Sequence, residues 1–76
     1  MQQSDKCIDL RGTPCPLNWV KTKLYLEDMA TGAVLEVMVD DGAPAHNVPR
    51  SVEMDGHLIL SLERNSEGVR ICIRRQ

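Results

Sequence analysis

No stretch of this 76-residue chain is apolar for anything near the ~18 residues that a membrane-spanning helix requires. The opening residues Met1-Gln2-Gln3-Ser4-Asp5-Lys6 also lack the apolar core of a secretory signal. These two absences point to the cytoplasm, where thiols stay reduced. Paired cysteines are missing too. Cys7, Cys15 and Cys72 are odd in number, which excludes a complete internal disulfide framework. With His46 and His57 they show no C-x2-C or H-x3-H spacing, so neither a metal nor a cofactor is expected. There is no excess of positive charge. The net charge of −2 and pI near 5.5 give no global attraction to nucleic acid or to an anionic membrane. The cations that are present, Lys21 and Lys23 and then Arg70, Arg74 and Arg75, read as solvated faces. Repeats, linkers and low-complexity segments are absent.

What remains is the composition of an ordinary soluble globule, 42% apolar and 26% charged, read as one domain over residues 1–76. A chain this short buries only about 60% of its unfolded surface, so its stability is modest. Residues 7–10 alternate as a short strand, with Ile8 and Leu10 on one face and Cys7 and Asp9 on the other. Gly12-Thr13-Pro14 breaks it. From Pro16 to about Ala30 nothing interrupts a helix. Trp19, Leu26, Met29 and Ala30 form its apolar stripe, broadened by Leu17, Val20 and Leu24, and Thr31-Gly32 stops it. Residues 33–39 follow as a strand, and Asp40-Asp41-Gly42 supplies a turn and a helix cap. Pro49 would lack its hydrogen bond inside a helix, so two short helical pieces are expected, about 43–47 and 49–54. Leu58, Leu60 and Leu62 alternate through a third strand. Asn65-Ser66-Glu67-Gly68 closes a hairpin, and Val69, Ile71 and Ile73 alternate through a fourth strand.

The order β-α-β-α-β-β, with a right-handed crossover between the first two strands, predicts an α/β two-layer sandwich. Two helices cover one face of a four-stranded mixed sheet. Strand parity assigns Cys7, Asp9, Val34, Glu36, Met38, Ile59, Ser61, Glu63, Arg70, Cys72 and Arg74 to the open face. Met38, Ile59 and Cys72 would make an apolar patch there. Trp19 is expected in the core, His57 packed at a strand start, and His46 exposed.

Cys15 is the candidate nucleophile. With Pro16 at the first helical position, Cys15 becomes the N-cap, beside free backbone N–H groups and the positive end of the helix dipole. Cysteines so placed commonly favour the thiolate. Arg11, four residues earlier, either adds positive potential or is simply solvated.

The run Asp9-x-x-Gly12-x-x-Cys15-Pro16, followed by a long helix, resembles the TusA/SirA-like sulfur carriers. Gly32, Asp40-Asp41, Val48-Pro49 and Gly56-His57 fall at compatible spacings, so the resemblance covers residues 7 to 75. It implies a fold like the C-terminal domain of translation initiation factor three, with sheet order 1-2-4-3. It also implies a function. Cys15 would accept sulfane sulfur as a persulfide from a cysteine desulfurase or rhodanese-like donor and relay it to an acceptor protein. Gly12, Pro16 and Asn18 would support the site, with Arg11 and Lys21 as docking candidates.

One position departs from the family's Cys-Pro-x-Pro motif, because Asn18 stands where the second proline would be. Asparagine restores a backbone N–H that proline lacks, and that donor is expected to reach the Cys15 sulfur and stabilise its thiolate. The departure also bears on which partners dock. Two other classes are weighed against the carrier. One is a non-catalytic interaction or regulatory module of the same fold. The other is a small thiol-redox protein, for which the resolving cysteine of C-x-x-C is missing. Cys7 and Cys72 are not expected to bond, since two strand spacings of roughly 9–10 Å separate them.

Overall fold

The computed structural model describes residues 4–76. Its elements run β1 (Lys6–Asp9), α1 (Leu17–Glu27), β2 (Val34–Val39), α2 (Ala43–Met54), β3 (Leu58–Asn65) and β4 (Gly68–Arg74). The strands form one sheet in the order β1-β2-β4-β3. β1 lies parallel to β2, and the other neighbours are antiparallel. This is the two-helix, four-stranded mixed arrangement that the element order predicts.

The core forms where strand alternation meets the helices. Leu35, Val37 and Val39 of β2 and Val69, Ile71 and Ile73 of β4 are all fully buried. They pack with Leu10, Leu26 of α1, and Ala45, Val48 and Val52 of α2. Ile8, Trp19, Met29 and Ile59 pack against that cluster from its edge.

Four local expectations are corrected. First, α2 is a single helix that contains Pro49. A proline inside a helix costs about 3 kcal/mol. Complete burial of Val48 and Val52, with Ala45 nearly buried, returns about 1.5–3 kcal/mol per valine. Packing therefore outweighs the missing hydrogen bond.

Second, α1 ends at Glu27 rather than near Ala30, because the Met29 N–H turns back to the Leu26 carbonyl. Third, its buried stripe is Asn18, Thr22 and Leu26, at a spacing of four. Leu17 (49% exposed), Val20 (43%) and Leu24 (59%) face outward instead. The two polar side chains inside bond locally through the Thr22 hydroxyl and the Asn18 side-chain oxygen. The Thr22 hydroxyl donates to the Asn18 carbonyl at 2.8 Å, and the Asn18 side-chain oxygen accepts the Trp19 N–H at 2.7 Å.

Fourth, the register of β3 shifts between Ile59 and Ser61. The bulge reverses the strand's parity. Ile59 pairs with Ile73 and joins the core, while Leu58 pairs with Arg74 and is 48% exposed. Ile59 is thus lost from the expected patch on the open face.

Candidate functional site

Cys15 lies in the loop between β1 and α1, and that loop is pinned at several points. The Leu10 N–H donates to the Met38 carbonyl at 2.8 Å and the Thr13 N–H to the Leu10 carbonyl at 3.1 Å. The Gly12 N–H donates to Asp40 Oδ2 at 2.7 Å, tying the loop to the end of β2. Gly12 itself has φ +79°, a left-handed conformation that glycine adopts without a steric penalty.

Arg11 is neither free nor merely solvated. Its Nε and Nη2 grip both carboxylate oxygens of Asp9, at 3.0 and 2.8 Å, and its Nη1 donates to the Glu67 carbonyl at 3.3 Å. Hydrogen bonding from the Arg11 side chain is the main reason the Asp9 carboxyl is lowered from 3.8 to about 2. A carboxyl depressed on folding stabilises the fold at pH values above its unfolded range. That contribution is lost as pH falls through its folded value. Stability is therefore expected to decline between about pH 4 and pH 2, with a shallower decline in Asp9→Asn. Urea unfolding midpoints across that window check it, and equal slopes in the two proteins would refute it.

Cys15 is exposed and precedes the N-cap; the cap is Pro16, joined to it by a cis peptide bond. The hydrogen-bond ladder explains the offset from expectation. The Asn18 N–H goes to the Pro14 carbonyl at 3.2 Å and the Val20 N–H to the Pro16 carbonyl at 3.1 Å. Between them, the Trp19 N–H takes the Asn18 side-chain oxygen. The Asn18 backbone N–H is thus committed to Pro14, and the expected donor to sulfur is not there. What Asn18 offers the thiol is an acceptor: the Cys15 S–H donates to its Oδ1 at 3.5 Å.

A donor does reach the sulfur, from a residue that sequence reading missed. Asn47 Nδ2, on α2, lies 3.8 Å from Cys15 Sγ. The two are 32 positions apart, and no local spacing signals the contact. Among the described residues, the two side chains hydrogen-bonded to the thiol are therefore neutral amides, one from each helix.

Lys21 is exposed on α1, one turn beyond Leu17 and among the outward-facing Val20 and Leu24. Trp19 packs against the core and helps line an open groove of about 300 Å³ with Lys23, Ser51, Met54 and Asp55. His46 is exposed. His57 accepts the Gln76 N–H at Nδ1, with Asp55 3.4 Å from Nε2. Cys7 and Cys72 are free thiols, separated by Glu36 in one row of the open face. Among the described residues no three His, Cys, Asp or Glu side chains converge as metal ligands. No helix there is long and apolar enough to cross a membrane.

The profile of the family described as Sulfurtransferase TusA matches residues 6–75. The chain belongs to that family. Relatives include a protein of Archaeoglobus fulgidus, 42% identical over 65 residues that span 86% of this chain and 74% of the relative. A Methanocaldococcus jannaschii protein is 33% identical over 70 residues, covering 92% and 93% of the two chains. Each carries the description "putative sulfur carrier protein". The fold also matches the crystal structure of a SirA-like protein from Desulfitobacterium hafniense. The TM-score is 0.76 at 24% identity, over 91% of this chain and 93% of that one. The matched span includes Cys15-Pro16 and Asn18, the positions on which the sequence resemblance and its departure rest.

Proposed function

We propose that this protein is a sulfur carrier that takes sulfane sulfur onto Cys15 as a persulfide and relays it to another protein. The observation that carries the reading is an exposed motif thiol whose side-chain hydrogen-bond partners are two amides, with no acid or base among them. Such a thiol suits exchange between sulfur centres, where attack depends on access and on the thiolate itself rather than on a general base.

In the loading step the Cys15 thiolate attacks the outer sulfur of a donor persulfide, R–S–SH. A new S–S bond forms to Cys15, the donor's S–S bond breaks, and its electron pair leaves on R–S⁻. In the delivery step an acceptor thiolate attacks the outer sulfur now on Cys15 and regenerates the Cys15 thiolate. Both steps conserve charge and atoms and require no oxidant. The protein is thus a co-substrate of its donor, a cysteine desulfurase or rhodanese-like protein, and of an acceptor in a sulfur relay. The cytoplasm, where thiols are kept reduced, is the compartment in which this exchange operates.

Docking is assigned to the outward face of α1. Leu17, Val20 and Leu24 make an exposed apolar stripe beginning two residues after the thiol, with Lys21 among them. Arg11 is held by Asp9 and Glu67, which leaves Lys21 as the freer cation for a partner. Incubation with glutathione persulfide, followed by intact mass and peptide mapping, is expected to find one added sulfur on the peptide that contains Cys15. No addition with any persulfide donor would sink the carrier reading and favour an interaction module.

A further inference from the structure

Asn18 is fully buried, yet its side-chain Nδ2 has no hydrogen-bond partner. A buried unpaired amide N–H costs on the order of 1–3 kcal/mol, and in a native fold such a group calls for an explanation. Its own oxygen is fixed in orientation, because Oδ1 accepts the Trp19 N–H at 2.7 Å. That same oxygen is the atom 3.5 Å from Cys15 Sγ. The unpaired donor therefore sits one amide's width, roughly 2.3 Å, from the oxygen that faces the thiol.

We infer that Asn18 Nδ2 is the hydrogen-bond donor for the outer sulfur of a Cys15 persulfide, with Asn47 Nδ2 donating to the inner sulfur. This rests on the carrier reading and assigns two positioning residues to it. An S–S bond is about 2.05 Å long. The two heteroatoms of an amide are roughly 2.3 Å apart, given bonds of about 1.23 and 1.33 Å. A persulfide laid along the Asn18 amide would thus match the span from Oδ1 to Nδ2, and a small shift of the atoms that cover Nδ2 would bring the outer sulfur beside the free donor. On loading, the inner sulfur no longer carries a hydrogen and Oδ1 keeps only the Trp19 N–H. The outer sulfur of a persulfide is more acidic than a thiol, so it releases its proton to solvent and meets Nδ2 as an anion. Asn47, already 3.8 Å from Sγ, holds the other sulfur from α2. Proline at position 18 has no side-chain amide, so this donor is particular to the Asn18 departure.

The test is the exchange equilibrium with glutathione persulfide, read by intact mass as the ratio of loaded to unloaded protein at fixed glutathione. Asn18→Asp keeps the acceptor for Trp19 and removes the donor. Asn18→Leu removes the donor without adding charge. Both are expected to shift the equilibrium toward unloaded protein on the order of tenfold, the factor one hydrogen bond to a charged group contributes. Asn47→Ala, an exposed position that keeps the test available should the buried variants fold poorly, is expected to shift it about threefold. Its melting temperature in the reduced state should not change correspondingly. Wild-type retention in Asn18→Leu or in Asn47→Ala would overturn the assignment. Failure of the wild type to load would overturn the carrier reading itself, and this inference with it.

Discussion

Cys15→Ser is expected to reduce sulfur uptake to background, whereas Cys7→Ser and Cys72→Ser retain one sulfur per chain. The contrast follows from what surrounds each thiol. Cys72 is buried, with its Sγ 3.9 Å from the Glu36 carboxylate, so a donor protein cannot approach it. Cys7 is exposed but lies on β1, and its sulfur shares a hydrogen bond with the Ser4 hydroxyl at 3.2 Å. Only Cys15 combines exposure with a position at a helix start, beside an apolar stripe that a partner can cover. Serine keeps the side-chain volume close and lacks the sulfur, so the variant's urea midpoint should match the wild type within experimental error. Intact mass after treatment with glutathione persulfide decides it. A full sulfur equivalent on Cys15→Ser, removed in turn by Cys7→Ser, would move the site to the sheet.

Gly68→Ala is expected to destabilise the domain by about 2–6 kcal/mol. Gly68 has φ +144°, and a Cβ built there stands 2.5 Å from the backbone carbonyl oxygen of Val39. Strain in that conformation costs about 1–3 kcal/mol, and forcing β2 and β4 apart adds about 1–3 kcal/mol. The oxygen belongs to the backbone of a central strand and has no flexible end to swing aside. Domains of this kind are stable by roughly 0.05–0.15 kcal/mol per residue, so much of the fold's margin would be lost. Gly12→Ala is the control. Its φ of +79° is strained too, but a Cβ there meets nothing within 4 Å, so about 1–2 kcal/mol is expected. Urea unfolding of both variants separates strain from collision, and equal losses would show that the Val39 contact relaxes freely.

The periodic parts of this fold were legible in the sequence. β2 and β4 alternate without interruption, and every inward residue they promised is buried. The sheet order followed from the family resemblance, while α1 stopped at Glu27, short of its expected end, and α2 ran unbroken through Pro49. What escaped was set by three-dimensional context. The bulge near Leu60 reverses parity in a strand whose leucines alternate regularly, because pairing with β4 selects Ile59 for the core over Leu58. The inward face of α1 carries Asn18 and Thr22, which no hydrophobic pattern would choose; the Thr22 hydroxyl and the Asn18 side-chain oxygen bond locally there. At the candidate site, Pro-Cys-Pro and Gly12 singled out Cys15, and the departure from Cys-Pro-x-Pro singled out Asn18. The direction of Asn18's interaction was not, since it depended on a helix that begins one residue later than its proline suggests. Asn47 carried no signal, being brought in by the packing of α2 beside α1.

The tethering of Gly12 to Asp40, with Arg11 clasped by Asp9 and the β3–β4 hairpin, has a mechanical consequence. Other cargo carriers can hang their load on a long pendulum that swings between stations. On the proposed carrier function, the load would hang on a single short side chain bolted to the end of a sheet. Its reach would be one cysteine and one extra sulfur atom. In any handover the choreography would fall to the visiting protein, which would bring its own thiol to a stationary berth and back away with the atom.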